Sequence, residues 1–156
     1  MKIKAALLIC MFLFLNCDSN KHNFDKELRK ENLVKLELKE LKISILVPQE
    51  SSFDESNNEV LINLNPKGRS VKLFSIKKAT APKNNKYNTS FTFDSGATLN
   101  YFIFEENGGN GGIEYKLNGN LEYEDRIFKI TSTYQEELGR GYPEFCLKYL
   151  STIKNL

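Results

Sequence analysis

The chain is poor in the groups that carry catalysis and cross-linking. Its 156 residues include one histidine, three cysteines and no tryptophan. The histidine, His22, lies in a polar N-terminal stretch, far in sequence from the segments that read as a packed domain. A Ser-His-Asp or Cys-His site therefore lacks a base unless that stretch folds back. One histidine and one domain cysteine cannot supply the three or four ligands of a zinc site without carboxylates. The Asp-x-Asp-x-Asp-Gly spacing of a calcium loop is missing as well. No metal and no cofactor are expected.

Long apolar runs and a charge bias are also missing. A membrane-spanning helix needs about 20 apolar residues. The longest run here, Ala5 to Leu15, has eleven. It follows Lys2 and Lys4, and a positive start before an apolar core of that length reads as an export signal. A buried N-terminal helix fits poorly, because no polar face interrupts the run. Removing Lys2 and Lys4 with the leader takes the 22 Lys+Arg to 22 − 2 = 20, against 20 Asp+Glu. A neutral chain has no electrostatic pull toward nucleic acid, so that class of partner is not expected.

A cysteine stands at the edge of the apolar run, in Phe14-Leu15-Asn16-Cys17. This segment resembles the signal of bacterial lipoproteins, in which a cysteine after the apolar core is acylated and becomes the new N-terminus. Phe14 stands where Leu is usual, and Asn16 where Gly, Ala or Ser is usual. The resemblance implies lipidation at Cys17 and a protein anchored to a membrane without spanning it. Simple cleavage near Asn20 is the alternative. With Cys10 removed and Cys17 acylated, Cys146 is left alone, and no intramolecular disulfide can form. The expected organisation is a signal peptide over 1–16, a lipidated tether over 17–32 and one domain over 33–156. The expected location is the cell envelope, on a periplasmic or surface face.

From Leu33 onward the pattern is that of strands. Val34, Leu36 and Leu38 alternate with charged residues, and Leu41, Ile43, Ile45 and Val47 continue the period of two up to Pro48. Further strands are expected at 59–64, 70–77, 90–93, 97–104, 113–117, 121–123 and 126–133. Asn65-Pro66-Lys67-Gly68 reads as a turn. Asn118-Gly119 reads as a two-residue hairpin turn, and another turn is expected near Glu124-Asp125. Pro143 and Glu144 suit a helix start. Cys146, Tyr149, Leu150 and Ile153 then form one stripe at i, i+3, i+4 and i+7. The expected fold is α+β: a meander-like antiparallel sheet of about six to eight strands, with a C-terminal amphipathic helix over 143–154 packed on it.

The most conspicuous string is Asn107-Gly108-Gly109-Asn110-Gly111-Gly112. It lacks the Gly-Lys-Ser/Thr ending of a phosphate loop, so it reads as a hairpin loop that can also be a contact surface. Carboxylates are plentiful but fall where solvated strand faces and turns would lie, and almost any two could be assembled into a glycosidase-like pair. Cys146 reads as a buried structural thiol. Tyr87, Tyr134 and Tyr142 lie in or beside loops, where core and interface are equally open. The candidate partner-binding residues are 107–112 with Tyr134 and Tyr142.

The string from Gly108 to Leu117, with Pro143-Glu144-Phe145-Cys146-Leu147 downstream, resembles exported immunity proteins that protect a bacterium from type VI secretion effectors attacking the cell wall. That resemblance implies occlusion of a toxin's active site, with no chemistry of the chain's own. The arrangement is also similar to PsbP-like domains, small α+β modules of exported proteins. The expected function is thus a lipid-anchored, non-catalytic binding module with a protein partner. A scaffold lipoprotein and a carboxylate-dependent hydrolase are the competing readings.

Overall fold

The alternation that opens at Leu33 folds into a tight hairpin. In the computed structural model, β1 (Leu33–Leu38) pairs antiparallel with β2 (Ile43–Pro48), with Leu36 opposite Ile45 and Leu38 opposite Ile43. Lys42 takes a left-handed φ of 55° in the turn between them. The period of two puts Leu36, Leu38, Ile43, Ile45 and Val47 on one buried face. The structure describes residues 24–56, 59–64, 71–80, 87–107, 112–133 and 143–156.

Seven further strands form a second antiparallel sheet. They are β3 (Ser51–Ser56), β4 (Glu59–Leu64), β5 (Val71–Ala79), β6 (Thr89–Thr92), β7 (Thr98–Asn107), β8 (Ile113–Tyr123) and β9 (Arg126–Thr133), in the order β3-β4-β5-β9-β8-β7-β6. One row runs Val60, Ile76, Ile130, Gly119, Tyr101 across five strands, and its side chains are buried. A second row, Leu61, Ser75, Thr131, Asn118, Phe102, lies on the opposite face, where the Ser75 and Thr131 hydroxyls bond at 2.7 Å. β3 was not anticipated, because its Ser, Asp and Glu residues give no apolar period. It serves as an edge, and charged edges resist pairing with other chains.

The expected turn at Asn118-Gly119 is not a turn. Both residues lie within β8, opposite Phe102 and Tyr101. The glycine is required by a close approach. A Cβ there would stand 2.7 Å from the Tyr101 Cβ and 2.9 Å from the Asn100 carbonyl oxygen. The reversal comes instead at Glu124-Asp125, where Glu124 takes φ 53°.

The expected C-terminal amphipathic helix over 143–154 is also absent, and with it the α+β class. Pro143–Phe145 is a single 3-10 turn, and α2 (Cys146–Leu150) has five residues. (A similarly short α1, Phe24–Leu28, precedes β1.) Two hydroxyls end the helix. Ser151 Oγ donates to the Lys148 carbonyl and Thr152 Oγ1 to the Tyr149 carbonyl, each at 2.6 Å. Such local bonds compete with continuation of a helix. The chain then leaves as β10 (Lys154–Asn155), which pairs with Ser44 and Ile43 of β2. The stripe of Cys146, Tyr149, Leu150 and Ile153 is buried, but so is Leu147 at 5% exposure. This segment is a plug enclosed on several sides. The fold is two antiparallel β-sheets, of three and seven strands among the described residues, with short helical turns.

One apolar cluster draws on both sheets and on α2. The Tyr149 ring stacks on Phe74 of the large sheet, centroids 6.0 Å apart, and Leu46 of the small sheet donates its N–H to Thr152 Oγ1 at 2.8 Å. Arg126 closes the other end. Its guanidinium donates to the Leu41 and Lys42 carbonyls at 3.1 and 2.8 Å, and also bonds Asn155. α1 belongs to the same core through Leu28, and Phe24 lies edge-on to Phe91 at 5.5 Å.

Candidate binding surface

The β7–β8 hairpin is the longest pairing of the large sheet among the described residues. Its register runs from Thr98–Glu122 out to Asn107–Ile113. Among the described residues β9 pairs with β8 as far as Thr133, opposite Lys116, and β6 pairs with β7 from Thr98 to Tyr101. The pairs Glu105–Tyr115, Glu106–Glu114 and Asn107–Ile113 form the outer end of the hairpin, an arm about 10 Å long at ~3.4 Å per residue. Ile113 at its tip is 55% exposed, one of the few large apolar residues so presented.

Charge along the arm is mostly negative. Glu106 and Glu114 share one face with the cation Lys116, which bonds Glu106 and lies 3.5 Å from Glu114, while Glu105 lies on the other face beside Tyr115. The hydrogen bond that Lys116 donates to Glu106, with the Glu106 charge and then Glu114, holds its ammonium above its ordinary pKa. Glu106 and Glu114 stand opposite each other across the hairpin, close enough to tempt a glycosidase reading. They sit on an open ribbon, 53% and 37% exposed, with Lys116 between them. A general acid needs an apolar pocket to keep its proton near neutral pH. This pair lacks one.

Other titratable groups are structural. Cys146 is fully buried, and burial pushes its thiol up to about 12, far from a reactive thiolate. Tyr101 donates its hydroxyl to Glu144 at 3.1 Å, and burial, then the Glu144 charge, raises its pKa. Lys148 and Tyr149 both bond Glu31, tying the plug to the start of the domain. Among the described residues no group of three or more His, Cys, Asp and Glu could hold a metal ion.

Two of the candidate contact residues are within the described chain. Asn107 and Gly112 are the exposed ends of the two arm strands, and an added Cβ at Gly112 meets nothing. The glycine-rich string thus joins two paired strands, as a hairpin loop does. Gly108, Gly109, Asn110, Gly111, Tyr134, Tyr142 and Cys17 lie outside the described residues. Tyr134 follows directly on Thr133, which sits at the base of the arm. Tyr87 is half-buried and stacks on Phe102 at 6.2 Å, on the face that also carries Ser75 and Thr131. Ile113 was missed as a candidate. Its signal was its place at the end of a strand beside a glycine run, where nothing opposes its outer face.

A two-sheet β-domain with an acidic, apolar-tipped hairpin is a module suited to work by contact. Residues 44–154, more than two thirds of the chain, match the type six secretion immunity 3 domain. The chain belongs to that family, and so to the immunity-type proteins of type VI secretion. The match begins within β2 and ends in β10, so it takes in the whole seven-stranded sheet, the arm and the plug, and leaves β1 of the small sheet outside. No curated protein matches the chain.

Proposed function

We propose that the protein is an exported, lipid-anchored immunity protein that covers the active site of a cell-wall-directed toxin. The contact surface is the β7–β8 arm with its 107–112 loop, together with the segment from Tyr134 to Tyr142. Family membership supports the immunity role, and the exposure of Ile113 beside the solvated Glu106 and Glu114 is the observation that carries the choice of surface. An arm of this length is too small alone, since a stable interface covers about 800 Å² on each partner. The segment that begins at the base of the arm supplies a second contact. Exposed Ile113 serves as the apolar anchor, and the arm carboxylates bias encounter toward a basic cleft.

Anchoring rests on the leader. Residues 1–16 act as the signal peptide and 17–23 carry the acylated Cys17 and form the tether; the domain, expected from residue 33, already starts at Phe24, since Phe24 and Leu28 pack on the core and Glu31 bonds Lys148 and Tyr149. Each buried methylene of an acyl chain contributes about 0.8 kcal/mol to attachment, so two or more chains hold the protein at the membrane. This puts the inhibitor in the cell envelope, where a wall-directed toxin arrives.

The test is co-expression with each cell-wall-directed type VI effector of the same organism in turn, directed to the periplasm. The full-length protein restores growth against one of them and co-elutes with it. A protein deprived of residues 1–16 that protects equally well from the cytosol would contradict the proposed location. Effectors that all stay lethal and elute alone would contradict the immunity role. For the anchor, a fatty-acid analogue labels the natural chain and leaves Cys17→Ala unlabelled.

A further inference from the structure

An open groove of about 700 Å³ lies on the far side of the small sheet from the core, bounded by α1, β1, β2 and the turn that leads into β10. Leu33 and Leu46 give it an apolar floor, and Arg29, Lys35 and Lys154 are exposed on its rim, with the carboxylates of Asp25 in the lining and of Glu37 beside Lys35. Period two makes this arrangement. Lys35 pairs with Leu46 and Ser44 with Lys154, so the outward face of the three strands carries cations around aliphatic side chains. Lys35 forms an exposed ion pair with Glu37 at 2.8 Å, a bond worth little and easily exchanged. The same α1 that walls the groove is where the tether enters the domain. From Cys17 to Phe24 the chain can span at most about 25 Å.

We propose that this groove is a docking surface for anionic phospholipid headgroups, which seats the domain on its own membrane and turns the opposite end outward. The proposal rests on the lipid-anchor reading for its geometry, and on the cationic rim for its chemistry. A short tether keeps headgroups at high effective concentration next to the groove. Each lysine or arginine near an anionic leaflet adds attraction that salt screens. The apolar floor accepts the glycerol backbone and first methylenes beneath the phosphate.

The core is built from residues 24–156, so the chain from residue 17 with Cys17→Ala serves as an unlipidated probe. It is sedimented with vesicles of phosphatidylcholine, alone or mixed with phosphatidylglycerol. The expected result is about tenfold more protein on the anionic vesicles at low salt, lost at high salt. The triple variant Arg29→Gln, Lys35→Gln, Lys154→Gln abolishes that excess. The control Lys77→Gln, Lys78→Gln, Lys129→Gln, on the large sheet, retains it. Both triples change exposed side chains only and are checked for an unchanged denaturation midpoint. Equal sedimentation on the two vesicle types, or an equal loss in the control, overturns the proposal. Fatty-acid labelling of the natural chain is read separately, so failure of the anchor and failure of the groove are told apart.

Discussion

The plug at 143–153 and the arm at 105–115 are opposites, the first rich in Leu, Tyr and Phe and the second in Glu, Gly and Asn. The plug places Cys146, Leu147, Tyr149, Leu150 and Ile153 in the core, and its polar groups bond Glu31, Lys148 and Leu46. The arm holds Ile113 in solvent and its carboxylates on an open ribbon. Burial of an aliphatic side chain contributes about 1.5–3 kcal/mol, which the plug gains and the arm does not. A two-stranded ribbon is marginal in water. Residues kept there at little benefit to stability are the ones free to serve contact. Substitutions should therefore separate by region, with stability lost in the plug and recognition lost in the arm.

The largest effect is expected at the plug. Leu150→Ala removes a fully buried side chain between the sheets and should cost about 2–5 kcal/mol, measured by urea denaturation. Cys146 sharpens the same point through pH. Its folded pKa, about 12, lies above the ordinary 9.0, so the neutral thiol favours the folded state. That contribution is complete below pH ~9 and is lost as pH rises toward ~12, by up to about 4 kcal/mol at 1.36 kcal/mol per unit. Cys146→Ala should therefore lose less stability than the natural chain between those limits. A native thiol that reacts readily with a disulfide reagent at pH 8 would contradict its enclosure. Gly119→Ala comes next. Its new methyl meets Tyr101 and the Asn100 carbonyl, and the expected cost is about 1–3 kcal/mol, again by urea denaturation.

Strands with one buried face were legible because water and core alternate along them. β1, β2, β4 and β9 declare themselves by apolar residues at every second position. β3 and β10 do not. The first is an edge with polar residues on both faces, and the second is two residues long and exists through its pairing with β2. The helix over 143–154 failed for a related reason. Its apolar stripe fits a helix, yet Ser151 and Thr152 turn their hydroxyls onto the carbonyls that the next turn would use. Gly119 misled because glycine serves both tight turns and close approaches, and only the opposing Tyr101 decides which. The ends of the arm, Asn107 and Gly112, were legible from the glycine run. Exposed Ile113 offered one cue, its place beside that run, but its exposure depends on packing that local pattern does not carry.

The smallest stability effect and the largest functional one are expected from the same substitution. Ile113→Asp should move the urea midpoint by no more than about 0.5 kcal/mol in stability, since the side chain already faces solvent. The direct measurement is the affinity of this variant for the effector that the natural chain binds, taken with its urea midpoint. The account predicts binding at least about tenfold weaker, with an unchanged midpoint. Undiminished binding, or a loss that appears only with unfolding, would contradict it.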